Sequence, residues 1–211
     1  MLHALRTQQG PPDDPAGAMN DVAIKPVSRR EHLKQATLAL HRHVERIVDA
    51  RGYFADRSAY GRWLLASLAF HRAAYARVCP VTIAHCLGAE GIAKRFDFLE
   101  RDLADLGIAV PPSAEIAIAG GADTAETLGV LYVTEGASLG ARILYTRVRD
   151  LGLDASSGAA FLGSQAHDMA AWRRFVGALD AFDGTADEEN RLVEASCSTF
   201  KLAAVHFGGP S

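Results

Sequence analysis

The chain has 211 residues, 49% of them hydrophobic and 22% charged, with a net charge of -3 and an isoelectric point near 6.2. That balance supports one sizeable core and leaves no basic footprint for nucleic acid. No apolar run reaches the roughly eighteen residues that a membrane span needs.

Residues 1–28 contain GPPDDPAGAMND and KPVS, rich in Pro, Gly and Asp and without periodicity, and read as a disordered tail. The opening MLHALRTQQG has no apolar stretch of the kind a secretory signal carries. A helical domain is expected over residues 29–207, followed by a short tail at 208–211. Its first helix starts at Ser28, with Glu31 three residues on as a capping box, and runs to about Ala50 before Gly52. A second helix follows Asp56 or Ser58 through YGRWLLASLAFHRAAYARV and ends at Pro80. A short third helix lies near VTIAHCL, and IAKRFDFLERDLADLG forms a fourth, stopped by Gly107. GIAVPPSAEIAIAGG is a loop. Asp123 and Glu126 then open one long helix that continues to Gly152. After a Gly/Ser loop come helices in SQAHDMAAWRRFVGALDAF and ADEENRLVEASCSTFKLAAVHF. There is no convincing strand and no repeat, so the expected fold is all-α, one domain of about seven or eight helices. Cys79, Cys86 and Cys197 are an odd set without metal-ligand spacing, as buried thiols in a reducing cytoplasm would be.

In the first helix Leu33, Ala36, Thr37, Leu40, Val44, Ile47 and Val48 fall on one stripe, with His41 on one flank and His43 on the other. Glu45 stands one turn after His41, where its carboxylate can accept the Nδ1–H and leave Nε2 free as a ligand. Lys34 shares that flank and offers a cation to an anionic group. A plain surface pair explains the same spacing. A single imidazole falls short of a zinc site but suffices for a haem iron.

In EGASLGARIL, Gly136 and Gly140 sit four apart inside a helix, each costing about 1 kcal/mol relative to alanine. Either they admit a neighbouring helix, or they bare a kinked backbone to a flat ligand. Spacing alone does not choose.

At these residues the chain resembles the haem oxygenase family, particularly its bacterial, phytochrome-associated branch. KQATLALHRHVE is similar to the family's proximal pattern K-x-A-T-x-x-x-H-x-x-x-E, which implies that His41 is the axial ligand, Glu45 its orienting carboxylate and Lys34 a propionate partner, with Thr37 in the same motif. LYVTEGASLGARIL resembles the glycine-rich distal helix, which implies haem-facing roles for Gly136, Ala137, Gly140 and Ala141 and a propionate contact for Tyr132. SLAFHRAAY, LERDLADLG and WRRFVGAL extend the likeness to roughly residues 29–205. By the same resemblance Arg173 or Arg174 pairs with a propionate, and Phe200 packs at the haem edge. The likeness implies that haem b is cofactor and substrate together, opened with O₂ and electrons to biliverdin, carbon monoxide and iron. Gly136, Ser138 and Gly140 would form the distal surface at which this occurs. The sequence departs from mammalian-type members at Ala137, where those carry an aspartate, and Ser138, backbone groups and water are expected to carry the distal proton instead.

No flavin or nicotinamide fingerprint is present, because GGAD and GASLGA do not follow strands. A separate ferredoxin or flavoprotein is therefore the expected donor. A bacteriophytochrome is the implied biliverdin acceptor, and the α meso carbon the implied point of attack. A non-catalytic haem carrier or sensor on the same fold is the competing reading. A helical interaction module, with the glycines as packing and His41 incidental, is the third.

Overall fold

Four of the helices begin where a side chain of the preceding residue satisfies a free backbone amide. The computed structural model describes residues 28–88, 90–110, 120–167 and 169–209, so all of the tail expected at 1–28 except Ser28, and most of the loop around Pro111, lie outside the described residues. Ser28 caps α1 (Arg29–Ala50) by accepting from the Glu31 amide at 3.2 Å, and Asp56 caps α2 (Arg57–Tyr75) through the Ala59 amide. Pro80 opens α3 (Pro80–Leu87), where its missing N–H costs nothing. Next comes α4 (Gly91–Asp105). Asp123 and Glu126 close a reciprocal capping box on α5 (Thr124–Gly136). Then follow α6 (Ser138–Asp150), α7 (Ala160–His167), α8 (Ala170–Ala181) and α9 (Ala186–Gly208), the last opened by a Thr185–Glu188 box.

The described residues thus hold nine helices and no strand, against seven or eight expected. The long helix expected from Asp123 to Gly152 is broken at Ala137 into α5 and α6, and the segment expected over 164–182 divides into α7 and α8. α7 also starts earlier than expected, because its cap comes from afar. The buried Asp102 carboxylate of α4 accepts from the Ala160 and Phe161 amides at 2.7 and 2.9 Å.

α9 is the axis of the packing, with α1, α2 and α5 against it. Arg29 pairs with Glu189 near the start of α1, while Tyr53 past its end donates to the Phe207 carbonyl, so α1 and α9 run in the same sense. Tyr60, Trp63, Phe70, Phe161 and Phe207 fill the middle. Only one face of α1 is committed to this core: Leu33 and Thr37 are buried, Leu40, Val44, Ile47 and Val48 half-buried, and the rest of the helix faces outward.

The glycine that serves helix packing is Gly129. A Cβ there would lie 2.5 Å from the Leu192 carbonyl and 2.7 Å from the Ala195 Cβ, so α5 meets α9 only because nothing intervenes. Gly129→Ala is expected to destabilise the fold by about 1–3 kcal/mol, read as a lower urea midpoint with unchanged slope.

His71 is buried in this core, its Nδ1–H donating to the Ser67 carbonyl at 2.8 Å while Nε2 has no hydrogen-bond partner among the described residues. Burial, reinforced by the Arg95 charge, pushes its pKa down from 6.5 to about 3. The folded state therefore binds fewer protons than the unfolded one at mildly acid pH. The stability associated with neutral His71 is fully present above 6.5 and drains away as pH falls towards 3, by about 2 kcal/mol between pH 8 and pH 5. His71→Gln should flatten the stability–pH curve over that window relative to wild type. Parallel curves would contradict the assignment.

Candidate haem-binding site

α1 and the α5–α6 pair are tied at two places. The Tyr132 hydroxyl of α5 lies against that of Thr37, and burial raises the Tyr132 pKa. Further along, Arg147 of α6 reaches Asp49 of α1 at 3.5 Å. The order of the ties makes the two strands of the site run in the same sense. Between the ties α1 advances 12 residues, about 18 Å at 1.5 Å per residue, whereas the opposite side uses 15 and contains the break at Ala137. The longer, broken side has slack to stand off from α1 between the ties.

The face of α1 turned to this gap follows from helical spacing: Lys34, Leu38, His41 and Glu45 recur at i, i+4, i+7 and i+11. His41 is half-exposed. Its Nδ1 stands 3.6 Å from Glu45 Oε1, and its ring packs edge-on against Phe200 of α9 with centroids 5.6 Å apart. Both contacts steer the ring and leave Nε2 as the free nitrogen. Lys34 is exposed and reaches Glu31 at 3.4 Å, a weak surface pair that can be exchanged for an anionic ligand. Thr37 is buried and donates to the Leu33 carbonyl, so its hydroxyl holds α1 and Tyr132 in place. His43 is exposed on the other side of the helix.

On the opposite side Gly136, Leu139, Gly140 and Ile143 recur at i, i+3, i+4 and i+7, one face across the break. A Cβ on Gly140 would touch nothing within 4 Å, and one on Gly136 only the Trp172 ring at 3.9 Å. Neither glycine is therefore crowded by a neighbouring helix, and Gly140 faces none within reach. Leu139 and Ile143 are 58% and 65% exposed and Leu38 39%, so three of the large apolar side chains left uncovered belong to the two facing helices. Clustered exposed apolar side chains mark a ligand groove rather than ordinary surface. Bare backbone, uncovered aliphatics, one oriented imidazole and a nearby cation are what a flat macrocycle with an iron and two carboxylates requires, since its own nitrogens supply the other ligands. The residues fit haem. No group of three or more His, Cys, Asp or Glu side chains suited to a lone metal ion occurs among the described residues.

The remaining sequence candidates separate. Ala137 is exposed at the break, while Ala141 is buried and faces the core. Ser138 donates to the Glu135 carbonyl at 2.6 Å. It lines a cavity of about 440 Å³, walled by α3, α4 and α5 to α8 and by no residue of α1. Arg174 faces that same cavity, where its guanidinium donates to the Cys86 and Leu87 carbonyls at 3.2 Å each and closes the end of α3. Of the two arginines, either of which the resemblance allowed as the propionate partner, Arg174 is held at the end of α3 and Arg173 is exposed on α8. Sequence reasoning missed Arg95, Glu135 and Tyr75, which are joined behind the break by contacts between residues 40 and 60 positions apart. No local spacing announces them.

The family model described as heme oxygenase matches residues 28–207. Heme oxygenase PigA of Pseudomonas aeruginosa is 29% identical over 183 residues, which cover 84% of this chain and 92% of that protein. A solved structure of the NO- and CO-bound heme oxygenase from Neisseria meningitidis superposes with a TM-score of 0.69 at 23% identity, covering 86% of this chain and 93% of the other. The second likeness bears on the fold.

Proposed function

The chain belongs to the haem oxygenase family, and on that premise we propose that it binds haem b between α1 and the α5–α6 break and opens the ring to biliverdin, carbon monoxide and iron. The observation that carries the reading is the pairing of an oriented, half-exposed His41 with the open Cβ position of Gly140, and the uncrowded one of Gly136, between two interhelical ties. When bound, haem supplies both the oxygen-activating iron and the ring that is consumed.

The protein's own part is orientation and exclusion. Glu45, 3.6 Å from the His41 Nδ1, would orient the ring so that Nε2 could take the iron. Lys34, Tyr132 and Arg173 take the propionate edge, and Phe200 fixes the imidazole from behind. Gly136 and Gly140 let backbone approach the opposite face, where Leu139 and Ile143 keep bulk water off the macrocycle. With Ala137 at the break and the Ser138 hydroxyl held by the Glu135 carbonyl, no side-chain acid stands at this face. Protons on this reading arrive through ordered water against the backbone of residues 136–140. On this reading a separate ferredoxin or flavoprotein would supply the electrons, the α meso carbon would be the one oxidised, and the biliverdin would serve a bacteriophytochrome. Three free thiols suit a reducing cytoplasm, and no helix among the described residues is long and apolar enough to cross a membrane.

The test is reduction of the haem complex in air with ascorbate or ferredoxin, followed by chromatography of the pigment. Decay of the Soret band into biliverdin, the α isomer predominating, is the expected result. A complex that survives several reductants unopened would make the chain a haem carrier instead.

A further inference from the structure

Behind the break, opposite the face offered to haem, Glu135 is almost wholly buried as the last side chain before Gly136. Its carboxylate meets the Arg95 guanidinium of α4 at 2.8 Å, and the same guanidinium donates to the Tyr75 hydroxyl of α2. Tyr75 lies in turn 3.4 Å from the Glu135 carboxylate. One charged triangle therefore joins α2, α4 and the end of α5.

Among the described residues, few side chains hold the break itself. α6 has no side-chain cap, the Gly140 Cβ position is empty, and the Gly136 position has only Trp172 within reach. Two glycines and an uncapped helix start leave the backbone many conformations of similar energy. A buried ion pair is dear to desolvate and costlier still to leave half-made, so its geometry is stiff in a way the break's own residues are not. The Glu135 carbonyl also receives the Ser138 hydroxyl, which carries the side chain's fixed position across the break into α6.

We propose that the Arg95–Glu135–Tyr75 triangle is a positioning device that fixes the backbone of residues 136–140, and with it the gap available to a planar ligand. The inference rests on the haem-binding reading for its purpose but not for its test, which uses the ligand-free protein. Hydrogen exchange would be followed over residues 136–141, with α2 and α9 as internal references, in wild type, Glu135→Gln and the double variant Arg95→Met with Glu135→Met. The double variant removes both charges and strands neither.

Exchange at 136–141 is expected to quicken by at least about tenfold in both variants while the α2 and α9 references hold. In variants that still take up haem, the pH midpoint of the ferric spectrum should also move. Wild-type exchange at 136–141 in either folded variant would overturn the proposal. So would loss of protection spread evenly through α2, α5 and α9, or failure of both variants to fold, since each describes a general structural pair. If wild type fails to take up haem, the functional reading falls and the exchange result stands on its own.

Discussion

His41→Ala is expected to weaken haem binding by more than about a hundredfold, because loss of a mere orienting partner already costs about 10–100-fold and this change removes the ligand. Glu45→Gln should then fall within that smaller range, since the amide cannot stabilise the imidazole as a carboxylate does. The ring of His41 is half-exposed and touches Phe200 at its edge, so its removal leaves no buried cavity and thermal stability should hold. The check is a haemin titration beside a melting curve, with free imidazole added to restore the ligand in the truncated variant. His43→Ala, altering an exposed residue on the far side of α1, should titrate like wild type. Equal losses from His41 and His43 would show that neither is a specific ligand.

Gly140→Leu should separate stability from binding. The Cβ position at Gly140 is open, so the ligand-free protein gains helix propensity and is stabilised by up to about 1 kcal/mol. The new side chain stands where a planar ligand would lie against backbone, so haem affinity should fall steeply. A rise in melting temperature together with loss of haem binding is the expected pair of results. Were Gly140 instead a packing glycine, the substitution would destabilise the fold as Gly129→Ala should. Opposite signs at two glycines of the same predicted helix are a sharp demand on the structure.

Those two glycines also mark where the sequence could and could not be read. Helix starts at Ser28, Asp123 and Thr185 depend on residues three apart, and the His41–Glu45 pair on residues four apart, so local spacing contains them. The all-α fold follows from such local signals. Gly129, Gly136 and Gly140 look alike in sequence, and only their neighbours in space show that Gly129 packs tightly on α9, Gly136 has room against Trp172, and Gly140 is bare. α7 begins at Ala160 because Asp102 caps it from 58 positions away, a cap that no nearby residue advertises. Sequence left Arg173 and Arg174 as equal alternatives at a ligand edge, and the contacts of Arg174 with the carbonyls ending α3, 87 and 88 positions away, are not announced by any nearby residue. The Arg95–Glu135–Tyr75 triangle was invisible for the same reason. Its members meet only after three helices have packed.

Haemin titrated into the unmodified chain and followed at the Soret band tests the central claim most directly. Binding in the gap between α1 and the α5–α6 break predicts a sharpened, shifted band that saturates at one haem per chain. Absorbance that rises in proportion to added haemin, with neither shift nor saturation, would contradict the account.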